Sequence, residues 1–416
     1  MQSRYRSQSL LSLPALLILV GLVVLVVLGG CSRSRVASLE REDLYRLAIG
    51  RAEDQIDLFQ MEGAPLNQKT RIVMRDGLFF ISNGSANKVM EFSSYGDLLT
   101  LLYDPDENPR PVLLQASAVE GRMTNRRAHS YNFSQVGEIA VTSNKTTLVE
   151  DMLGEERAVF DSDLGVNLNR VVLRFDSRGQ LIDYLGQEGI GGTPFPYIER
   201  LEVTSSDEIV VVSRTMDSWL VYWFTADGDL YYSVDIQLSR LPVPDDREVI
   251  PILETVLPDK ELPRLYLKLD YYEQALDPET GASFGIEKTL SRVFWLDLES
   301  GRYDGYVNIP TNVQTISGQS VFDRQEVEYM YQLVGVAPKE HLYLLSREDN
   351  DQSQLLIMRT DGRVVRRRNL HVEDSEILYK TYHVSATGVL SALLGFEDHA
   401  RVVWWRSDRL VGDLGR

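Results

Sequence analysis

From Thr70 onward one unit keeps returning along the chain: a β-rich run, a tight turn, a second run, a loop, a third run, a glycine hairpin and a fourth run. The clearest copy is Phe195 to Thr204, Ser205-Ser206-Asp207, Glu208 to Ser213, Leu220 to Phe224, Asp227-Gly228-Asp229 and Leu230 to Ile236. Runs this short, broken by turn residues roughly every eight to twelve positions, exclude helical bundles and parallel α/β sheets and leave sandwiches, barrels and propellers. The recurrence decides among these, because a hairpin-linked set of four antiparallel strands repeated along a chain is a β-propeller blade.

Six copies fit. The first spans Arg71 to Tyr103. The second, Phe133 to Leu185, takes Phe133–Val136 and Glu138–Thr142 as its first strands and has a polar insertion near 143–168. The third is the copy above, and the fourth runs Val249 to Ile309 with an acidic insertion at Tyr271–Glu287. The fifth covers Tyr329 to Leu370, and the sixth Thr381 to Leu414 with Leu410–Leu414 as its last strand. Gly96, Gly179, Gly228, Gly301 and Gly362 stand at equivalent hairpins, where a positive φ suits glycine. The expected fold is all-β, a six-bladed propeller over 70–416, with seven blades as the alternative because the insertions are uneven.

Ahead of the repeats, 38–60 reads as one amphipathic helix. Ser38 serves as cap, Glu40, Glu42 and Asp43 suit the positive helix end, and Leu44, Ala48, Ala52, Ile56 and Phe59 share a face. Gly63, Ala64 and Pro65 end it. The first and last copies each supply four strands of their own, so the ring is expected to lack a shared blade, with this helix bracing the seam.

The remaining N-terminal residues point to a compartment. Arg4 and Arg6 precede an apolar run from Leu10 to Leu28, which ends in Leu28-Gly29-Gly30-Cys31, the only cysteine among 416 residues. A lone cysteine makes no intramolecular disulfide. The run resembles the signal of bacterial lipoproteins, which implies a signal peptide at 1–30, a diacylated Cys31 and a tether at 31–37. An uncleaved span is the other reading, since 10–28 is long enough to cross a bilayer. Both readings place the remainder outside the cytoplasm, in a bacterial cell envelope facing the periplasm or exterior. Against 61 acidic residues there are 43 basic ones, a formal charge of −18. That charge repels phosphates and argues against nucleic-acid binding; the one arginine run, Arg366-Arg367-Arg368, falls in a single expected strand.

Arg174-Phe175-Asp176-Ser177-Arg178-Gly179, followed by Leu185-Gly186, Gly189, Phe195-Pro196 and Ile198, resembles the NHL-type propeller repeat. With the lipobox, Ile49-Gly50-Arg51, Glu53-Asp54-Gln55-Ile56-Asp57, Lys88-Val89-Met90 and Ser94-Tyr95-Gly96-Asp97-Leu98, the chain is also similar to uncharacterised propeller lipoproteins of spirochaete envelopes. That resemblance implies a location rather than an activity.

No linear catalytic motif is present. His129, His341, His371, His383 and His399 form no zinc spacing, and there is no Gly-x-Ser-x-Gly elbow. Gly186–Gly192 lacks the Lys-Ser or Lys-Thr of a phosphate loop and reads as a blade connector. Asp104, Asp106, Glu107 and Asn108, and likewise Asp349, Asn350 and Asp351, lack the calcium-loop pattern and read as solvated acidic loops. In Tyr231-Tyr232, Tyr271-Tyr272 and Trp404-Trp405 one ring of each is expected to pack between blades. The expected function is therefore non-enzymatic, without cofactor or metal. It is a scaffold held to a membrane through lipid on Cys31, docking an envelope protein through its loops. The alternative is a small-molecule or saccharide site in the central channel, built by Glu199, Glu202, Glu254, Gln332 and His383.

Overall fold

The computed structural model describes residues 36–59, 68–114, 126–245, 247–277, 280–317, 324–348 and 351–412. The signal peptide at 1–30, Cys31 and most of the tether at 31–37 lie outside these described residues, as do Asp349 and Asn350.

Six antiparallel sheets form the blades of a β-propeller. Blade one is Thr70–Arg75, Leu78–Asn83, Lys88–Ser93 and Leu98–Tyr103, with Arg127–Ser130 added in parallel outside. Blade two is Ile139–Val141, Thr147–Met152, Arg170–Phe175 and Leu181–Gly186, edged by Gly189–Ile190. Blade three is Tyr197–Val203, Ile209–Arg214, Ser218–Phe224 and Leu230–Gln237, and blade four is Ile250–Pro258, Arg264–Leu276, Ser283–Asp297 and Arg302–Asn308. Blade five is Tyr331–Ala337, His341–Arg347, Gln352–Arg359 and Val364–His371. Blade six takes Tyr379–Val384, Leu390–Gly395 and His399–Trp405 from one end of the chain and Arg41–Ala48 from the other.

That last strand overturns the expected helix at 38–60 and the expected unshared ring. Arg41–Ala48 pairs antiparallel with His399–Trp405, and Leu410, expected in the sixth copy's last strand, instead belongs to a short helix, Asp408–Val411. A register shift between Asp43 and Tyr45 resets which side chains face inward, so the two-residue alternation of a strand is erased and a helical spacing survives by coincidence. In blade two the strands also shift. Phe133–Val136 lies outside the strands, and Thr147–Met152, inside the expected insertion, is the second strand.

Six apolar clusters hold the ring, one at each seam between neighbouring blades. At the seam of blades six and one, Leu47, Ile56 and Leu58 from the N-terminal segment pack with Ile72, Phe79, Met90 and Leu393. Lys88 is fully buried there, and its ammonium donates to the carbonyls of Ala52 at 2.7 Å and Arg51 at 3.3 Å. Burial pushes its pKa down to about 7. Arg41 ties the same strand to Glu373, with Nη2 2.9 Å from Oε1, and this bond lowers the Glu373 pKa to about 2. At Gly96, φ is 85° and a Cβ would come 2.8 Å from Tyr45 of the closing strand, so a side chain is excluded on both counts.

Antiparallel connection sorts the loops to two ends of the ring. Turns between first and second strands, and third and fourth, lie at one end; second-to-third loops and blade-to-blade crossings lie at the other. Three hairpin additions among the described residues fall at this second end. They are the Val159–Asp161/Val166–Leu168 hairpin of blade two, the outward extension of the blade-four hairpin beyond Tyr271, and the Asn312–Ser317/Arg324–Tyr329 hairpin between blades four and five.

The closing-strand arrangement makes Leu47, 3% exposed, a ring-locking residue. Leu47→Ala is expected to cost about 2–4 kcal/mol in urea unfolding; a side chain on a peripheral helix would cost a few tenths.

Candidate functional site

The first strand of each blade lines the axis, and alternation divides its side chains. In blade one Ile72 and Met74 enter the seam with blade six and Val73 packs on the seam with blade two, while Arg71 and Arg75 put charge at the axial cavity. In blade three Leu201 and Val203 pack into a seam, whereas Arg200 and Glu202 turn to the axis. Glu138 ahead of blade two, Lys260 in the first turn of blade four and His383 of blade six complete a polar hub.

Two pairs of these groups are close. Lys260 Nζ lies 2.8 Å from Glu202 Oε2 and donates to the Val203 carbonyl at 3.1 Å. Arg71 Nε lies 2.9 Å from Glu138 Oε1. Deeper toward blade two, Lys69 Nζ is 2.7 Å from the fully buried Glu150. Burial works against the Glu202 carboxylate, yet Lys260 and Arg200 together keep its pKa below the ordinary value. His383 Nδ1 accepts the Met74 N–H at 3.1 Å, and burial pushes its pKa down to about 4, against the pull of Glu202. The imidazole is therefore neutral at physiological pH.

Of the five channel residues expected from sequence, the structure brings two together, Glu202 and His383. Glu199 instead pairs with Arg214 at 3.5 Å, Glu254 forms an ion pair with Lys268 within blade four, and Gln332 is exposed to solvent. The sequence reading missed Arg71, Arg75, Glu138, Arg200 and Lys260. Their signal was the interleaving of charged and apolar residues in the first strand of a copy, visible in Arg71-Ile72-Val73-Met74-Arg75.

The hub leaves a cavity of about 60 Å³, with a second void of about 20 Å³ beside it. No cluster of three His, Cys, Asp or Glu that could hold a metal occurs among the described residues. Asp104 accepts the Asp106 N–H at 2.9 Å, closing a turn upon itself. One ring of each aromatic pair packs at a seam as expected: Tyr271 and Trp405 are fully buried, and Tyr232 packs on the cluster between blades three and four.

A larger feature lies at the end of the ring that carries the insertions. An open groove of about 630 Å³ between blades three and four is lined by Tyr197, Met216, Trp219, Leu241 and Ile252, with Arg214 at its side. Met216, at the tip of a second-to-third-strand turn, is 88% exposed.

No family model matches the chain, and no curated protein matches it. Among solved structures it is similar to a protein of unknown function from Bacteroides caccae, with 13% identity over 80% of this chain and 94% of the other and a TM-score of 0.34. It is also similar to the Dos1 propeller, at 9% identity, 85% and 82% coverage and a TM-score of 0.38. A gluconolactonase from Xanthomonas campestris is similar at 10% identity, 90% and 99% coverage and a TM-score of 0.37.

The neutral His383 makes the hub acid-sensitive. Its folded pKa lies below the 6.5 of the free side chain, so the unfolded chain takes up a proton first, and stability falls as pH drops from about 6.5 to 4, by up to about 3 kcal/mol. His383→Asn, whose Oδ1 can still accept the Met74 N–H, is expected to lose this contribution. Urea midpoints of both proteins at pH 7 and pH 4.5 measure the difference.

Proposed function

We propose that this chain is a non-enzymatic scaffold of a bacterial cell envelope, anchored through lipid on Cys31 and docking a protein partner on the insertion-bearing end of the propeller. The observation that carries the reading is the division of the molecule into a filled axis and an elaborated face. The hub cavity is small and lined by charged side chains, whereas a broad surface with apolar purchase is met where the three hairpins and the open groove share one end of the ring.

The exposed apolar side chains support a protein partner. Leu276 is 53% and Ile286 58% exposed on the blade-four hairpin, beside a chain whose remaining surface is strongly acidic. Apolar residues grouped on loops of a rigid framework are the usual makings of a docking surface. The single cysteine behind an apolar run supports the anchor: two or more acyl chains hold a protein to a membrane for practical purposes permanently. A saccharide site in the channel has less support, because only two of its five expected residues, Glu202 and His383, line the cavity, and Glu202 is engaged by Lys260.

The test compares the native protein with Leu276→Asp/Ile286→Asp by affinity capture from solubilised envelopes and quantitative mass spectrometry. A partner recovered in stoichiometric amount with the native protein is expected to fall at least tenfold with the variant. Equal recovery, or none from either, refutes docking at this hairpin. The mass of the mature N-terminal peptide checks the anchor independently, with a diacylated cysteine at position 31 as the expected result.

A further inference from the structure

The axial cavity is electropositive in a chain that is otherwise strongly acidic. Four cations, Arg71, Arg75, Arg200 and Lys260, face it against two carboxylates, Glu138 and Glu202. Both carboxylates are already engaged, Glu138 by Arg71 at 2.9 Å and Glu202 by Lys260 at 2.8 Å. Arg75 reaches carboxylates only at long range, Asp207 at 3.7 Å and Asp76 at 3.9 Å. Arg200 lines both the cavity and the adjoining void, and no carboxylate of the described residues lies within 4.0 Å of it. His383 adds a donor. With Nδ1 accepting from the Met74 amide, the neutral ring carries its proton on Nε2.

A guanidinium drawn away from bulk water without an anion is costly, and its planar fork matches oxyanions in particular. The size is also restrictive. The cavity is small, about 60 Å³, which favours a compact ligand. A tetrahedral inorganic oxyanion is a compact ligand of the kind that a guanidinium fork recognises. We propose that the axial cavity binds one inorganic oxyanion of the phosphate or sulfate class, held chiefly by Arg200 with Arg75 and the His383 imidazole. The anion joins blades one, three and six at the hub, where no backbone hydrogen bond links them. Its role is that of a structural ligand and is independent of whether a protein docks on the far loops.

The experiment titrates the full-length protein with inorganic phosphate at constant ionic strength, set with sodium chloride, and reads the melting temperature. A saturable rise is expected, of about 3 °C when phosphate reaches 100 times its dissociation constant. Arg200→Gln abolishes it, and Arg366→Gln/Arg368→Gln, on the exposed edge of blade five, leaves it intact. Equilibrium dialysis with radiolabelled phosphate is expected to give one ion per native chain and less than one tenth of that for Arg200→Gln at the same concentration. This second readout is taken well below the melting temperature, and circular dichroism of the variant confirms its fold. No rise in the native protein together with no retained ion overturns the proposal. So does a rise of equal size in Arg200→Gln, which would mean general screening of the charged chain.

Discussion

The strand Arg41–Ala48 has no independent stability; it exists because His399–Trp405 presents an unpaired edge and because Leu47 finds a seam between blades six and one. In return it removes that edge and supplies part of the seam, so each neighbour depends on the other. A propeller gains its stability from seams that close on themselves, since each blade is a small sheet with too little core to stand alone. If one seam opens, two faces of apolar side chains meet water, and the remaining five lose the constraint that keeps them in register. The ion pairs of Arg41 and Arg401 with Glu373 and the burial of Lys88 against the Arg51 and Ala52 carbonyls fix the same segment from its two ends.

The hub obeys a different rule from the seams. Six first strands converge on the axis, and charged side chains gather there in place of an apolar layer. Two ion pairs cross between blades there, Glu202 with Lys260 and Arg71 with Glu138. Such pairs contribute less to net stability than apolar packing of the same volume, but they penalise any blade that arrives out of register. Aliphatic seams thus supply the stability, and the charged axis supplies the alignment.

How much of this was readable depended on which signal each residue carried. Blades three to five repeat strand and turn in full, and the glycine hairpins at Gly228, Gly301 and Gly362 marked their third-to-fourth turns directly, with φ of 101°, 66° and 82°. The closing strand was misread because its bulge between Asp43 and Tyr45 hides the alternation and because its partner lies at the opposite end of the chain, beyond the reach of any local pattern. In the channel, Glu202 and His383 were legible as polar residues within first strands. Glu199 was not, since the bulge between Ile198 and Arg200 turns it outward to Arg214. Gln332 shares the inner strand but faces solvent.

The shared blade also sets an order of assembly. A chain is made from its N-terminus, so the strand that locks the ring emerges long before the three strands that receive it. Blades one to five have their own strands as they appear, but the closing strand must wait, unpaired, until Leu390–Gly395 and His399–Trp405 exist. Its docking joins residues separated by almost the whole sequence, the slowest kind of contact to form. The molecule therefore spends its biogenesis as an open arc with a waiting end, and whatever holds that end in the meantime governs whether arcs close on themselves or on each other.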